Sequence, residues 1–134
     1  MRVLIDSNVL FSAVFRSGST PHQAYIKSLN PPYHCLVCEQ SLDELYESFL
    51  EKFPGRAREL EAFIYNTLAV VEVIPVPETA HPDEAKLRDP DDALIFRAAI
   101  AANADIIISG DLDFIESSIK KPVIMKAAQF LQIN

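Results

Sequence analysis

No apolar run in this chain approaches the roughly 20 residues that a membrane span requires; stretches such as Ala98-Ala99-Ile100-Ala101-Ala102 end within a few positions. Asp6 interrupts the N-terminal apolar run, which argues against a secretory signal, so a cytoplasmic protein without a membrane partner is expected. Cysteine is scarce: Cys35 and Cys38 form a lone Cys-Leu-Val-Cys. A zinc site would need a second pair or a nearby histidine, and a redox motif would need a helix N-terminus rather than this strand-like segment, so both are expected as buried free thiols. Positive charge is also short. Lys and Arg number 12 against 19 Asp and Glu, a net charge of -7, with no basic stripe of the kind that meets a phosphate backbone. The cations come in small groups, Lys52 with Arg56 and Arg58, Lys86 with Arg88, Lys120 with Lys121, as a solvated surface carries them. Repeats and low-complexity tracts are lacking, and His22, His34 and His81 share no spacing with one another or with the acids.

What is present is the material of one folded domain, residues 1–134, 49% hydrophobic. Strand and helix patterns alternate. Val3 to Ile5 reads as a buried strand, with Asn8 placed to cap a short helix through Phe15; Thr20 and Pro21 open a second helix that Pro31-Pro32 ends. A strand near Cys35 to Cys38 precedes a helix opened by Ser41 with the stripe Leu42, Leu45, Phe49 and Phe53. Pro54-Gly55 stops it, a helix over about 56–69 follows, and Val71 to Val76 is a third strand. Residues 77–88 form a polar, proline-punctuated loop. Then come a helix from Pro90 to about Ala102, a strand over 105–109, a short helix near 114–117, and a last strand Val123 to Met125 leading into a helical turn. Alternation of this kind predicts an α/β fold, a mostly parallel sheet of about five strands with helices on both faces.

Two of those strands end in a carboxylate, Asp6 after the first and Asp111 after Ile106-Ile107-Ile108-Ser109-Gly110, and Asp89-Pro90-Asp91-Asp92 opens the helix before the second. In a parallel sheet the carboxyl ends of strands are where ligands bind. Acids brought there together repel one another and resist ionising unless a cation compensates them, so the cluster makes sense as a divalent-metal site. Capping explains Asp89, with Pro90 at the first helical position. It explains Asp92 poorly, because Asp92 shares the stripe of Ile95, Phe96, Ala99 and Asn103 that faces the sheet. Asp113 can equally be a ligand or a cap partner of Glu116. Glu44 lies away from its helix's apolar stripe, three residues after Ser41, a spacing that fits a capping box.

In order, strand-Asp6-Ser7-Asn8, Ser41-Leu42-Asp43-Glu44-Leu45, Asp89-Pro90-Asp91-Asp92-Ala93-Leu94-Ile95 and Ile107-Ile108-Ser109-Gly110-Asp111-Leu112-Asp113-Phe114 resemble the four acidic motifs of PIN-domain ribonucleases. The ending Ile124 to Leu131 resembles the VapC-like branch of toxin components of toxin–antitoxin pairs. The resemblance covers essentially the whole chain. It implies a three-layer α/β/α sandwich with the first and fourth strands adjacent. It also implies catalytic and metal-ligating roles for Asp6, Glu44, Asp92 and Asp111, and so raises Glu44 above a cap; Asp113, by its position, is a further candidate metal ligand. Ser7, Asn8 and Ser109 would support the carboxylates; Ser109 stands where the family often has Thr.

The expected activity is hydrolysis of RNA phosphodiesters with Mg²⁺ or Mn²⁺, whose preference for hard oxygen ligands matches this set. If four or five acids are committed to metal, the net charge around the site is far less negative than the total suggests. An antitoxin protein and a homodimeric or larger assembly are the expected partners. The competing reading is a metal-stabilised, non-catalytic domain that docks a partner protein, which the acidic charge favours. A receiver-type phosphoacceptor is weaker, since it wants an acidic pair at the first strand end where this chain has Asp6-Ser7.

Overall fold

The structure, a computed structural model, describes residues 1–133. Its sheet has five strands in the order β3-β2-β1-β4-β5, all parallel. The strands are β1 (Arg2–Ile5), β2 (His34–Cys38), β3 (Glu72–Ile74), β4 (Ile106–Ile108) and β5 (Val123–Met125). The helices are α1 (Ser7–Phe15), α2 (Thr20–Ser28), α3 (Glu39–Lys52), α4 (Ala57–Val70), α5 (Pro90–Ala101), α6 (Leu112–Ile115) and α7 (Ala127–Leu131).

Side chains alternate across the pleat, and each face has its own apolar layer. Val3, Ile5, Cys35, Val37, Ile106 and Ile108 pack beneath α1, α2, α3, α4 and α7, while Leu4, Leu36, Cys38 and Ile107 pack beneath α5 and α6. The result is the expected α/β/α sandwich. The central strands β1, β2 and β4 read as continuous apolar runs because both of their faces are covered.

Strand order reverses between β1 and β4, whose registers pair Val3 with Ile106 and Ile5 with Ile108. The amide of Asp6 continues the ladder by donating to the Ile108 carbonyl at 3.0 Å. The two strand ends that carry acids therefore lie side by side at the switch point, where a parallel sheet opens a crevice.

Several helix boundaries differ from those the sequence suggests. Asp6, not Asn8, is the N-cap of α1. Ser19, not Thr20, caps α2, accepting from the His22 amide. α3 begins at Glu39, so Ser41 lies inside its first turn, buried with no partner for its hydroxyl, and no Ser41–Glu44 capping box forms. The turn after β4 is capped by Asp111 rather than by Asp113. α5 stops at Ala101, and Asn103 is exposed with φ 56° instead of lying on the inward stripe. The Ala104 amide donates to Ala99 and the Asn103 amide to Ile100, a Schellman closure that tolerates Asn in the left-handed region.

Both cysteines are free and buried, as expected. Burial pushes the Cys35 thiol up to about 11 and raises Cys38 as well. Neither is a thiolate at neutral pH. Residues 77–88 contain a short 3-10 turn (Pro82–Lys86) clamped to α5 by the Arg97–Glu84 ion pair at 2.8 Å and by Arg97 donation to the Pro77 carbonyl. That clamp holds the loop beside the helix that carries Asp92. Among the described residues no helix is long and apolar enough to cross a membrane.

Candidate metal centre

The sheet delivers Asp6 from the end of β1 and Asp111 from the turn after β4, and α5 delivers Asp89 and Asp92 from its first turn. These residues, with Ser7, Asn8, Glu44, Asp91 and Ile95, line an acidic cleft of about 140 Å³. One carboxylate oxygen each from Asp89, Asp92 and Asp111 falls within 4.8 Å of the others, close enough for one cation to bridge all three.

Asp92 is only 5% exposed, and its Oδ2 is buried without any hydrogen-bond partner. Leaving a carboxylate oxygen so placed is costly unless something compensates it. Burial, followed by the nearby charges of Asp111, Asp6 and Asp89, pushes its carboxyl up to about 7. Asp6 is also 5% exposed but is partnered. Its Oδ1 accepts from the Ser7 amide at 2.7 Å and its Oδ2 from the Ser109 hydroxyl at 2.9 Å. Burial outweighs those bonds, and with Glu44 and Asp111 nearby the Asp6 carboxyl is pushed up to about 6.

The supporting residues divide their work. The Ser109 hydroxyl donates to Asp6 and accepts from the Asp111 amide at 3.1 Å, tying the two strand ends together. Ser7 donates its hydroxyl to Glu44 Oε2 at 2.8 Å, and Gln40 donates to Glu44 Oε1 at 2.9 Å. Glu44 is thus held on the cleft wall between Ser7 of α1 and Gln40 in the first turn of its own helix, as a side-chain partner of both rather than as half of a capping box. Asn8 lines the cleft and bonds the turn after β4, its Oδ1 accepting from the Gly110 amide at 3.0 Å.

The structure therefore brings Asp6, Glu44, Asp92 and Asp111 to one cleft, with Ser7, Asn8 and Ser109 around it. It leaves Asp113 outside: that side chain is exposed and absent from the cleft walls, its amide donating to Asp111 Oδ1 at 2.9 Å. The residue that sequence reasoning missed is Asp89. It does cap α5, its Oδ1 accepting from the Asp91 amide at 2.9 Å, and it also faces Asp92 and Asp111. The i, i+3 spacing of Asp89 and Asp92 was the available signal, since residues so spaced share a helix face. Gln40, which steadies Glu44, stands one helical turn before it, an i, i+4 spacing that was likewise the available signal.

Residues 2–113 match the family model of the PIN domain. No curated protein matches the sequence significantly. Among solved structures, VapBC2 from Rickettsia felis, bound to a DNA fragment from its promoter, superposes with a TM-score of 0.70 at 14% identity, covering 94% of this chain and 98% of that one. The Mycobacterium tuberculosis VapC20, described as a sarcin-ricin loop cleaving toxin, gives 0.62 at 16% identity over 84% of this chain and 92% of its own. PAE2754 from Pyrobaculum aerophilum gives 0.65 at 12% identity over 98% and 88%. At these identities the likeness speaks for the fold.

Proposed function

The chain belongs to the PIN-domain family, and from that premise we propose that it is a Mg²⁺- or Mn²⁺-dependent ribonuclease, the toxin of a toxin–antitoxin pair. The observation that carries this reading is the unpartnered, buried Asp92 Oδ2 set among Asp89, Asp111 and Asp6. Such a donor set fits a hard divalent cation and fits little else. Asp89, Asp92 and Asp111 would hold the ion, with Asp6 and Glu44 on the same walls; Asp113 is not included. A cation bound there would lower the pKa of a coordinated water and neutralise charge building on the scissile phosphate.

The protein's own residues then have definite tasks. Ser109 holds Asp6 and the Asp111 backbone in register, so the two strand-end carboxylates present fixed oxygens. Glu44 keeps a free lone pair on each oxygen while Ser7 and Gln40 hold it in place, which suits it to orient an attacking water and accept its proton. The Ser7 and Ser109 hydroxyls are committed to carboxylates and are not needed as nucleophiles. The resemblance to a sarcin-ricin loop cleaving toxin supports an RNA strand as the substrate, and that to a VapBC complex supports an antitoxin as protein partner. We also expect the protein to work as a homodimer in the cytoplasm.

The test is Mn²⁺-stimulated cleavage of single-stranded RNA by wild type and Asp92→Asn. The expected result is cleavage that EDTA abolishes and that the variant lacks while keeping its circular dichroism spectrum. A variant that cuts as fast as wild type in the same metal would remove Asp92 from the machinery. Metal binding by wild type with no cleavage of any RNA would move the protein to the non-catalytic, partner-docking reading.

A further inference from the structure

The acidic cleft does not stand alone on the surface. On one side a groove of about 600 Å³ runs between α1 and α3, sharing Ser7, Asn8, Glu44 and Asp91 with the cleft and continuing past Phe11 to Lys52. On the other side a second groove of about 400 Å³ runs between α1, the start of α2 and the start of α7, sharing Asn8 with the cleft and lined also by Thr20 and Lys126. Asn8 borders all three concavities. Each groove is of a size that accepts a small organic ligand such as one nucleotide.

The charges along this path alternate in a telling order. The middle is anionic, and each groove is lined by a lysine ammonium that is in no salt bridge among the described residues, Lys52 in the first and Lys126 in the second. Lys52 Nζ sits 5.3 Å above the half-buried Phe11 ring, so a cation and an aromatic face lie together in the first groove. A base on an aromatic face with its phosphate on a nearby cation is how sequence-tolerant single-strand sites are built.

We propose that these two grooves are the entry and exit tracks of a single RNA strand. The strand crosses the acidic cleft over Asn8, with one flanking phosphate drawing the Lys52 ammonium off the Phe11 ring so that the base stacks on the face it leaves, and the opposite flanking phosphate on Lys126. This rests on the ribonuclease reading and deepens it. It also accounts for an acidic protein meeting a polyanion: two cations placed one on each side suffice to thread one strand, and no basic stripe is required. Glu51 lies on the Lys52 wall and opposes the strand there.

The test is steady-state cleavage of an unstructured RNA oligonucleotide in Mn²⁺ across a salt series. Lys52→Gln and Lys126→Gln should each raise KM several-fold, leave kcat within about twofold, and flatten the dependence of log kcat/KM on log salt by about 0.7, the contribution of one phosphate contact on a single strand. Phe11→Leu, which keeps an apolar side chain against Phe49 and Phe53, should raise KM about tenfold, near the low end of base–aromatic stacking. Glu51→Gln should lower KM, a change of sign that mere loosening of the fold would not give. Lys120→Gln serves as the distant control and should change nothing. If wild type cleaves RNA but both lysine variants keep its KM and salt dependence, the track is wrong, the grooves serve another occupant such as a partner peptide, and the ribonuclease reading stands. If wild type cleaves no RNA, that reading fails and the track falls with it.

Discussion

Glu44 carries the sharpest conflict between local and global information in the chain. Its spacing from Ser41 is that of a capping box, and nothing in the neighbouring residues contradicts this. The structure starts α3 two residues before Ser41 and hands Glu44 to Gln40, one turn earlier on the same helix, and to Ser7, which no local pattern supplies because it belongs to another helix. Glu44→Gln retains a carbonyl oxygen for Ser7, and a turn of the Gln40 amide can satisfy the new NH₂, so stability should fall by less than about 1 kcal/mol. Cleavage should fall about ten- to a hundred-fold, the scale seen when groups supporting a metal centre are disturbed. Melting temperature and RNA cleavage measured on this one variant decide the matter; near-normal cleavage would return Glu44 to a purely structural role. Asp89 is the reverse case. Its cap bond to the Asp91 amide accounts for it fully in sequence terms, and that local satisfaction hid its second face toward Asp92 and Asp111.

Among the elements, legibility followed coverage. β1, β2 and β4 could be read from the sequence because strands covered on both faces carry unbroken apolar runs, Val3 to Ile5, Cys35 to Cys38 and Ile106 to Ile108, and the two strand-end acids could be read with them. Some helix termini, such as the start of α3 and the end of α5, could not, for two reasons visible in particular residues. The residues opening α3, Cys38, Glu39 and Gln40, include none of the favoured cap types, and the nearest residue that does is Ser41, inside the first turn. The apolar run of α5 continues through Ala102, which masked the left-handed Asn103 that closes the helix. The α3 boundary can be tested directly. Were Ser41 the cap, Ser41→Ala would cost about 1 kcal/mol. With its hydroxyl buried and unpartnered inside the first turn, the same change should be neutral or stabilising, by up to about 1 kcal/mol. Chemical denaturation of the two proteins separates these outcomes, and a loss near 1 kcal/mol would restore the later helix start.

For the molecule as a whole, the acidic cleft makes stability, pH and metal one linked equilibrium. Asp6 and Asp92 have folded-state carboxyls near 6 and 7, both raised from the ordinary 3.8 by burial first and by neighbouring acids second. Between those limits the folded chain binds more protons than the unfolded one, so stability falls as pH rises through the window from about 4 to about 7. The stabilising contribution of protonated Asp6 and Asp92 is thus fully present only below the unfolded pKa and is lost by pH 8. Other carboxylates titrate in the same range, and comparison with Asp92→Asn cancels most of them. In EDTA, wild type should melt progressively below the variant as pH goes from 5 to 8, because only wild type carries the buried Asp92 charge beside Asp6 and Asp111. Divalent metal binds the ionised form, so it should reverse that order at pH 8. Metal at a hundred times its Kd adds about 2.7 kcal/mol, on the order of 10 °C for a chain of this length, and this gain should fade as the pH falls below about 6 and protons displace the ion. If the EDTA curves of wild type and Asp92→Asn run parallel across this range, or if millimolar Mn²⁺ leaves both unchanged at pH 8, the cleft is not an electrostatically strained metal centre.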